Sequence, residues 1–257
     1  MPLALAAVSL VAYGPARPAL ATDGHRARAA ERAAQSVLQA ATTHGGQPPV
    51  VTPDAPHASP AGAPRCRPHS PIPYLVRSHY LHHHDEHARA IRYRTEHYGF
   101  FEGFGDHSWN AHPPRFYARA TRFMGLPVTV NQRIIPALEC VEAEIRHACG
   151  AHPYHPHNLA GIRFHNTYRS GEITNHAYGI AVDIDPTRNT CCHCVGHWAE
   201  HPLCLRPTHS IWERMAMPEC WVDAFERFGF YWLGHDTLQD TMHFEFLADP
   251  DRILGGP

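Results

Sequence analysis

Residues 43–70, THGGQPPVVTPDAPHASPAGAPRCRPHS, decide where this chain can fold. The stretch is rich in Pro, Ala, Gly and Ser, and it cannot bury enough apolar area to offset the entropy of ordering it. The core must therefore be built after it, from about Pro71 onward. Residues 22–42 are Ala/Arg-rich and form at most a loose helix, so 22–70 reads as one low-complexity linker. Ahead of it, Leu3 to Tyr13 is a short apolar run and Ala19-Leu20-Ala21 a small-residue cleavage pattern. Residues 1–21 are accordingly read as a signal peptide and the protein as exported, periplasmic or extracellular. The alternative is an ordinary apolar helix, since no positive residue precedes Arg17.

Composition narrows the function classes. Of the 257 residues, 44% are hydrophobic, enough for a core, and the formal net charge is −2, which argues against a nucleic-acid-wrapping domain. No apolar run reaches the ~18–20 residues of a membrane span. Histidine, at 24, and cysteine, at 8, are the unusual counts, and together they point to metal chemistry, disulfides or both. Nothing in the chain speaks to its oligomeric state.

The body, 71–257, reads as α+β: a small antiparallel sheet flanked by helices, with a disordered N-terminal extension. Ile135, Leu138, Val141, Ile145 and Ala148 recur at helical spacing, and Gly150 stops that helix. Ala160 to His165, Tyr178 to Ile184, Phe230 to Leu233 and Met242 to Leu247 read as short strands. Ser210 to Phe228 reads as mostly helical, broken or kinked at Pro218. Regular βαβ alternation is missing, which favours α+β over a parallel α/β sheet. The His-rich segment 74–98 is read as a surface helix or loop; the rival reading is a metal-loading patch, with His83 and His87 at i, i+4. Gly99 to Gly105, GFFEGFG, reads as an aromatic turn and not a phosphate loop, because no Gly-Lys-Ser/Thr follows.

Two clusters carry chemistry: Asn175-His176 through Asp183, and Asp240-Thr-Met-His243-Phe-Glu245. A catalytic zinc takes three protein ligands and keeps one position open. His176, Asp183 and His243 supply that number, with Asp240 one short turn from a ligand, placed to serve as general base. His176 and Asp183 are seven apart, an odd spacing that an ideal strand points to opposite faces. His176 must then lie in a turn before the strand, or Gly179 must bend it. Glu245 is read as orienting a ligand, and Tyr178 and Trp232 as packing residues with cleft-lining as the alternative.

The segment from Thr167 through Asp183-Ile-Asp, followed by Gly229-Phe-Tyr-Trp-Leu-Gly and Asp240-Thr-Met-His243-Phe-Glu, resembles the zinc D-alanyl-D-alanine carboxypeptidase family. That family includes vancomycin-resistance dipeptidases and phage L-alanyl-D-glutamate endolysins. The resemblance covers about residues 134–250. It implies a zinc peptidase cutting peptidoglycan stem peptides, with His176, Asp183 and His243 as zinc ligands and Asp240 as the catalytic carboxylate. An arginine upstream of the first ligand holds the substrate carboxylate in the family; Arg169 is the better placed match and Arg163 the second. The expected activity is D,D-carboxypeptidase, with an L-alanyl-D-glutamate-type endopeptidase, a non-catalytic zinc- or wall-binding protein and a His-rich metal buffer as rivals. Asn175 replaces the Ser common before the first ligand. The tract Asn189 to Cys204 stands outside the general pattern and reads as an insertion that shapes the cleft.

The cysteines are read as disulfides, with a structural zinc built from Cys191 or Cys192, Cys194, Cys204 and Cys220 as the alternative. Cys140 and Cys149 sit nine apart on one helix, some 13 Å along its axis at ~1.5 Å per residue, so they should not pair with each other.

Overall fold

A computed structural model describes residues 66–166, 172–194, 198 and 200–255. The expected leader, the linker up to residue 65, and Arg169 lie outside these residues. In chain order the elements are α1 (Arg77–Tyr80), α2 (His84–Tyr98), β1 (Ala118–Phe123), β2 (Leu126–Asn131), α3 (Ile135–Ala148), β3 (Leu159–Ala160), α4 (Asn175–Tyr178), β4 (Ala181–Ile184), α5 (Pro202–Leu205), α6 (Glu219–Arg227), β5 (Phe230–Trp232) and β6 (His243–Phe246). The main sheet has the order β3-β4-β6-β5 and is antiparallel throughout, while β1 and β2 form a separate hairpin. The class is α+β, as the irregular run of strands and helices implies.

α3 forms where its apolar spacing places it. Pro136 lies in the first turn, where a missing N–H costs nothing. Ala137, Leu138, Val141 and Ile145 are buried on one stripe, and the helix packs against α6. Pro218 is the N-cap of α6 and separates it from a 3₁₀ turn at Ile211–Arg214, so the stretch over 210–228 is broken at Pro218, one of the two outcomes expected there. The central aromatic cluster joins the layers: the Phe225 ring lies 5.4 Å from Phe123, 5.0 Å from Phe230 and 4.1 Å from Phe244. Tyr178 and Trp232 are fully buried and belong to this core, which settles them as packing residues.

The last residues of the stretch read as linker touch the body. Arg67 N–H donates to the Ile253 carbonyl and His69 N–H to the Arg227 carbonyl, and Cys66 is disulfide-bonded to Cys140. The body is thus tied from Cys66. The other bridges are Cys149–Cys220, Cys191–Cys194 and Cys192–Cys204. This disposes of the structural-zinc alternative: Cys220 is bridged to Cys149 at the C-cap of α3, and the other three candidates are held in the Cys191–Cys194 and Cys192–Cys204 bridges. The β1–β2 hairpin was not foreseen. Its turn, Met124-Gly125, has positive φ at both residues, the backbone of a tight two-residue hairpin, but Met is an unusual first residue there. The His-rich segment is α2, with His83 at its N-cap. Among the described residues no metal-sized group of side chains forms there.

Replacing Phe225 with Ala should lower unfolding free energy by about 3–5 kcal/mol, because three ring neighbours lose their partner and a cavity remains. Denaturant titration of the disulfide-intact protein measures it.

Candidate metal centre and its neighbours

Strand register builds half of the site. In the β4–β6 pair, Asp183 stands directly opposite His243, a spacing at which Cβ atoms approach within ~5.5 Å. Alternation then sorts the neighbours. Phe244 and Phe246 point into the core, while Glu245, two residues on from His243, shares its face. The other half comes from α4. Thr174 is its N-cap, its hydroxyl accepting from His176 N–H, and Gly179 ends it in the left-handed region at φ 72°. That position needs glycine twice over: a Cβ there would also stand 2.8 Å from the Asn131 nitrogen. The expected strand from Tyr178 is therefore shorter, beginning at Ala181, and His176 lies in the helical turn before it. The odd spacing from Asp183 is accommodated in this way.

The three candidate ligands meet. His176 Nε2 lies 3.1 Å from Asp183 Oδ1 and 3.1 Å from His243 Nδ1, and His243 Nδ1 lies 2.8 Å from Asp183 Oδ1. All three side chains are buried. The outer ring atoms fix the tautomers. His176 Nδ1 sits 2.6 Å from the Gly161 carbonyl, which can only accept, so that nitrogen donates. His243 Nε2 donates to Glu245 Oε1 at 3.0 Å. Each neutral ring then turns a lone pair inward, toward the other and toward an anionic oxygen. Three such atoms with no proton among them repel. A cation at their centre reverses the sign, so the donor set fits a zinc-type ion bound at ~2.0–2.2 Å.

Without a cation a proton takes that role. Burial works against charge on His243, but its hydrogen bonds to Asp183 and Glu245 outweigh it and raise its pKa well above the usual range. Burial likewise opposes ionisation of Asp183, yet the two imidazoles hold its carboxyl well below the ordinary value. Glu245 is also held low, its desolvation overcome by the bond from His243. Such protons are the ones a metal displaces.

Gly161 is the outer partner the sequence concealed, because it acts through a backbone carbonyl. A Cβ there would stand 2.1 Å from the Thr129 carbonyl oxygen, so the close approach requires glycine. Ile162 N–H donates to the same Thr129 oxygen at 2.8 Å. Arg163 follows, its guanidinium paired with Asp183 Oδ2 and its side chain 34% exposed. Its backbone N–H donates to the His176 carbonyl at 3.0 Å. Glu172 is paired with Arg77 at 2.9 Å.

Asp240 sits on a loop clamped from two sides. Its N–H donates to the Leu233 carbonyl at 3.2 Å, and Thr241 N–H to Thr190 at 2.9 Å. The indole of Trp232 donates to the Thr241 carbonyl at 3.0 Å. Cys191 forms an isolated bridge with Asp240, and His193 N–H donates to the Leu238 carbonyl. The cysteine-rich tract thus packs on the loop that presents this carboxylate. Cys194 Sγ is 3.9 Å from Asp240 Oδ2; both nearby sulfurs are locked in the Cys191–Cys194 bridge, so they offer no thiolate to a metal. Asp240 Oδ1 is buried with no hydrogen-bond partner among the described residues. Burial, offset in part by His243 and reinforced by Asp183, pushes the Asp240 pKa up to about 7.

That shift has a stability consequence in the metal-free protein. Between the unperturbed 3.8 and about 7 the folded state holds a proton the unfolded state has lost, so stability falls as pH rises through this window. Asp240→Asn removes the titration. Its unfolding free energy relative to the parent should rise steadily from pH 4 to 7, as measured by urea titration in chelator; a pH-independent difference would contradict the shift.

No curated protein and no solved structure matches the chain significantly. The family match is shorter than the resemblance over 134–250, but it contains both histidines, both aspartates and Glu245. Residues 168–246 match the family model described as D-alanyl-D-alanine carboxypeptidase, and through that segment the chain is similar to the D-alanyl-D-alanine carboxypeptidase family.

Proposed function

We propose that the protein is an exported, zinc-dependent peptidase that trims peptidoglycan stem peptides, most simply as a D,D-carboxypeptidase. The observation that carries the reading is the meeting of two imidazole lone pairs and one carboxylate oxygen within 3.1 Å of one another, inside the family-matching segment. His176, Asp183 and His243 are the ligands in this reading. When bound, a zinc ion would supply Lewis acidity, polarising the scissile carbonyl and acidifying water near it.

The chain's own groups do the rest. Glu245 and the Gly161 carbonyl hold the two rings in the tautomers that face the centre. Arg163 holds Asp183 through its second oxygen, so that Oδ1 is the atom presented inward. Asp240, buried and without a partner for Oδ1, takes the proton of the attacking water and returns it to the departing amine. Arg163, with Arg169 from the adjoining segment, anchors the substrate carboxylate; a guanidinium suits that task because it binds bidentately. Export accords with four disulfides, which persist outside a reducing cytosol. No helix among the described residues is long and apolar enough to cross a membrane. The domain reading, a leader over 1–21, a linker to about 65 and a peptidase body after it, belongs to this proposal.

Digestion of purified muropeptides with mass-spectrometric readout tests bond, substrate and metal together. Release of terminal D-alanine, stopped by chelator and restored by zinc, is expected; internal cleavage would make it an endopeptidase instead. Asp240→Asn should keep about one zinc per chain and lose turnover by at least about 10²-fold. Turnover at the parent rate would remove Asp240 as the base. Glu245→Gln should weaken zinc affinity by about 10–100-fold in a chelator competition, because His243 loses the carboxylate that fixes its tautomer.

A further inference from the structure

We propose that the cavity beside the candidate centre is a subsite for one substrate side chain: an aliphatic stem ending in both an ammonium and a carboxylate, as in a diaminopimelyl residue of a stem peptide. The proposal rests on the reading of the centre as a stem-peptide hydrolase.

The cavity encloses about 510 Å³ and is walled by Phe100, Phe101, Phe164 and Ala177, with Glu102 and Arg115 among its lining residues. That size is in the range of small-ligand sites. Two of the walls are joined to the centre. Ala177 follows His176, Phe164 follows Arg163, and the backbone bond from Arg163 N–H to the His176 carbonyl, 3.0 Å, locks these two pairs together.

The chemistry of the walls is mixed in a specific way. Phe164 is 68% exposed, an aromatic ring left against solvent with nothing covering it among the described residues. Glu102 and Arg115 are both exposed, and neither side chain has a hydrogen-bond or ion-pair partner among the described residues. An acid and a guanidinium at one cavity, each unpaired, complement a zwitterionic group. The rings would cover the methylene stem, the Arg115 fork would take the carboxylate, and Glu102 the ammonium.

The cavity is formed in advance. Phe100 N–H donates to the His112 carbonyl at 2.9 Å. Asn110 Oδ1 accepts from His112 N–H and from the Tyr117 hydroxyl, both at 3.0 Å, while its amide donates to the Thr95 carbonyl at 3.1 Å. Little ordering is left to be done on binding. Of the walls named, only Ala177 lies within the family-matched segment, so the subsite is a feature of this chain more than of the shared core.

Two stem peptides that differ only in this residue, diaminopimelyl against lysyl, test the assignment. The full chain with its disulfides intact is assayed zinc-loaded for kcat and KM, and with zinc chelated for calorimetric binding. The diaminopimelyl peptide should be favoured by about tenfold or more in both measurements. Arg115→Gln should erase the preference, with the loss in KM and not in kcat, and Glu102→Gln should weaken both peptides alike. Equal binding of the two peptides by the parent, or variants that move neither, overturns the subsite. Hydrolysis without a preference overturns the subsite and leaves the peptidase reading standing; a binding preference without hydrolysis does the reverse.

Discussion

The antiparallel register of β4 on β6 is the constraint from which the site follows. It sets Asp183 against His243, puts Glu245 behind the imidazole, and turns Val182, Phe244 and Phe246 into the core with the same alternation. A slip of one residue would move every one of these side chains to the opposite face. The apolar residues therefore do more than stabilise the sheet. Burying Phe244 and Phe246 against Phe225 and Phe230 is what forbids the slipped pairing. The centre's geometry is held by hydrophobic free energy spent one strand-face away.

The third ligand reaches this pair by a different device. α4 is a single turn, too short to be stable alone, and it is held by its surroundings. Thr174 caps it, Gly179 turns the chain out of it, and the Asn131 amide donates to the carbonyls of Tyr98 and Tyr178, both at 3.2 Å. The β1–β2 hairpin thus supports His176 from outside the family-matched segment. Gly161, with its backbone against Thr129, does the same for the imidazole's outer nitrogen.

Much of this was legible in the sequence, and the reasons divide cleanly. α3, β5 and β6 were readable because a core-facing stripe leaves a period in the chain. The seven-residue gap between His176 and Asp183 demanded a turn before the strand, and the turn is present. The meeting of His176, Asp183 and His243 was anticipated from motif order and flanks, not from periodicity. The hairpin escaped because Arg119 and Arg122 mask its alternation and Met124 is atypical at a tight turn. The Gly161 carbonyl escaped because a backbone acceptor has no letter of its own. The pairings of the cysteines depend on which segments touch: Cys149–Cys220 follows the packing of α3 on α6, and Cys66–Cys140 the placing of the chain's entry against α3.

Those last two bridges give α3 an unusual mechanical position. The middle of the helix, at Cys140, is joined by sulfur to the point where the chain enters the body, and its C-cap, Cys149, to α6. A pull arriving from the residues ahead of Cys66 is shared at once with α3 and passed on to α6 through covalent bonds. The strands that carry Asp183 and His243 lie off that line of force, so tension on the tether would reach the helical layer before it strained the centre.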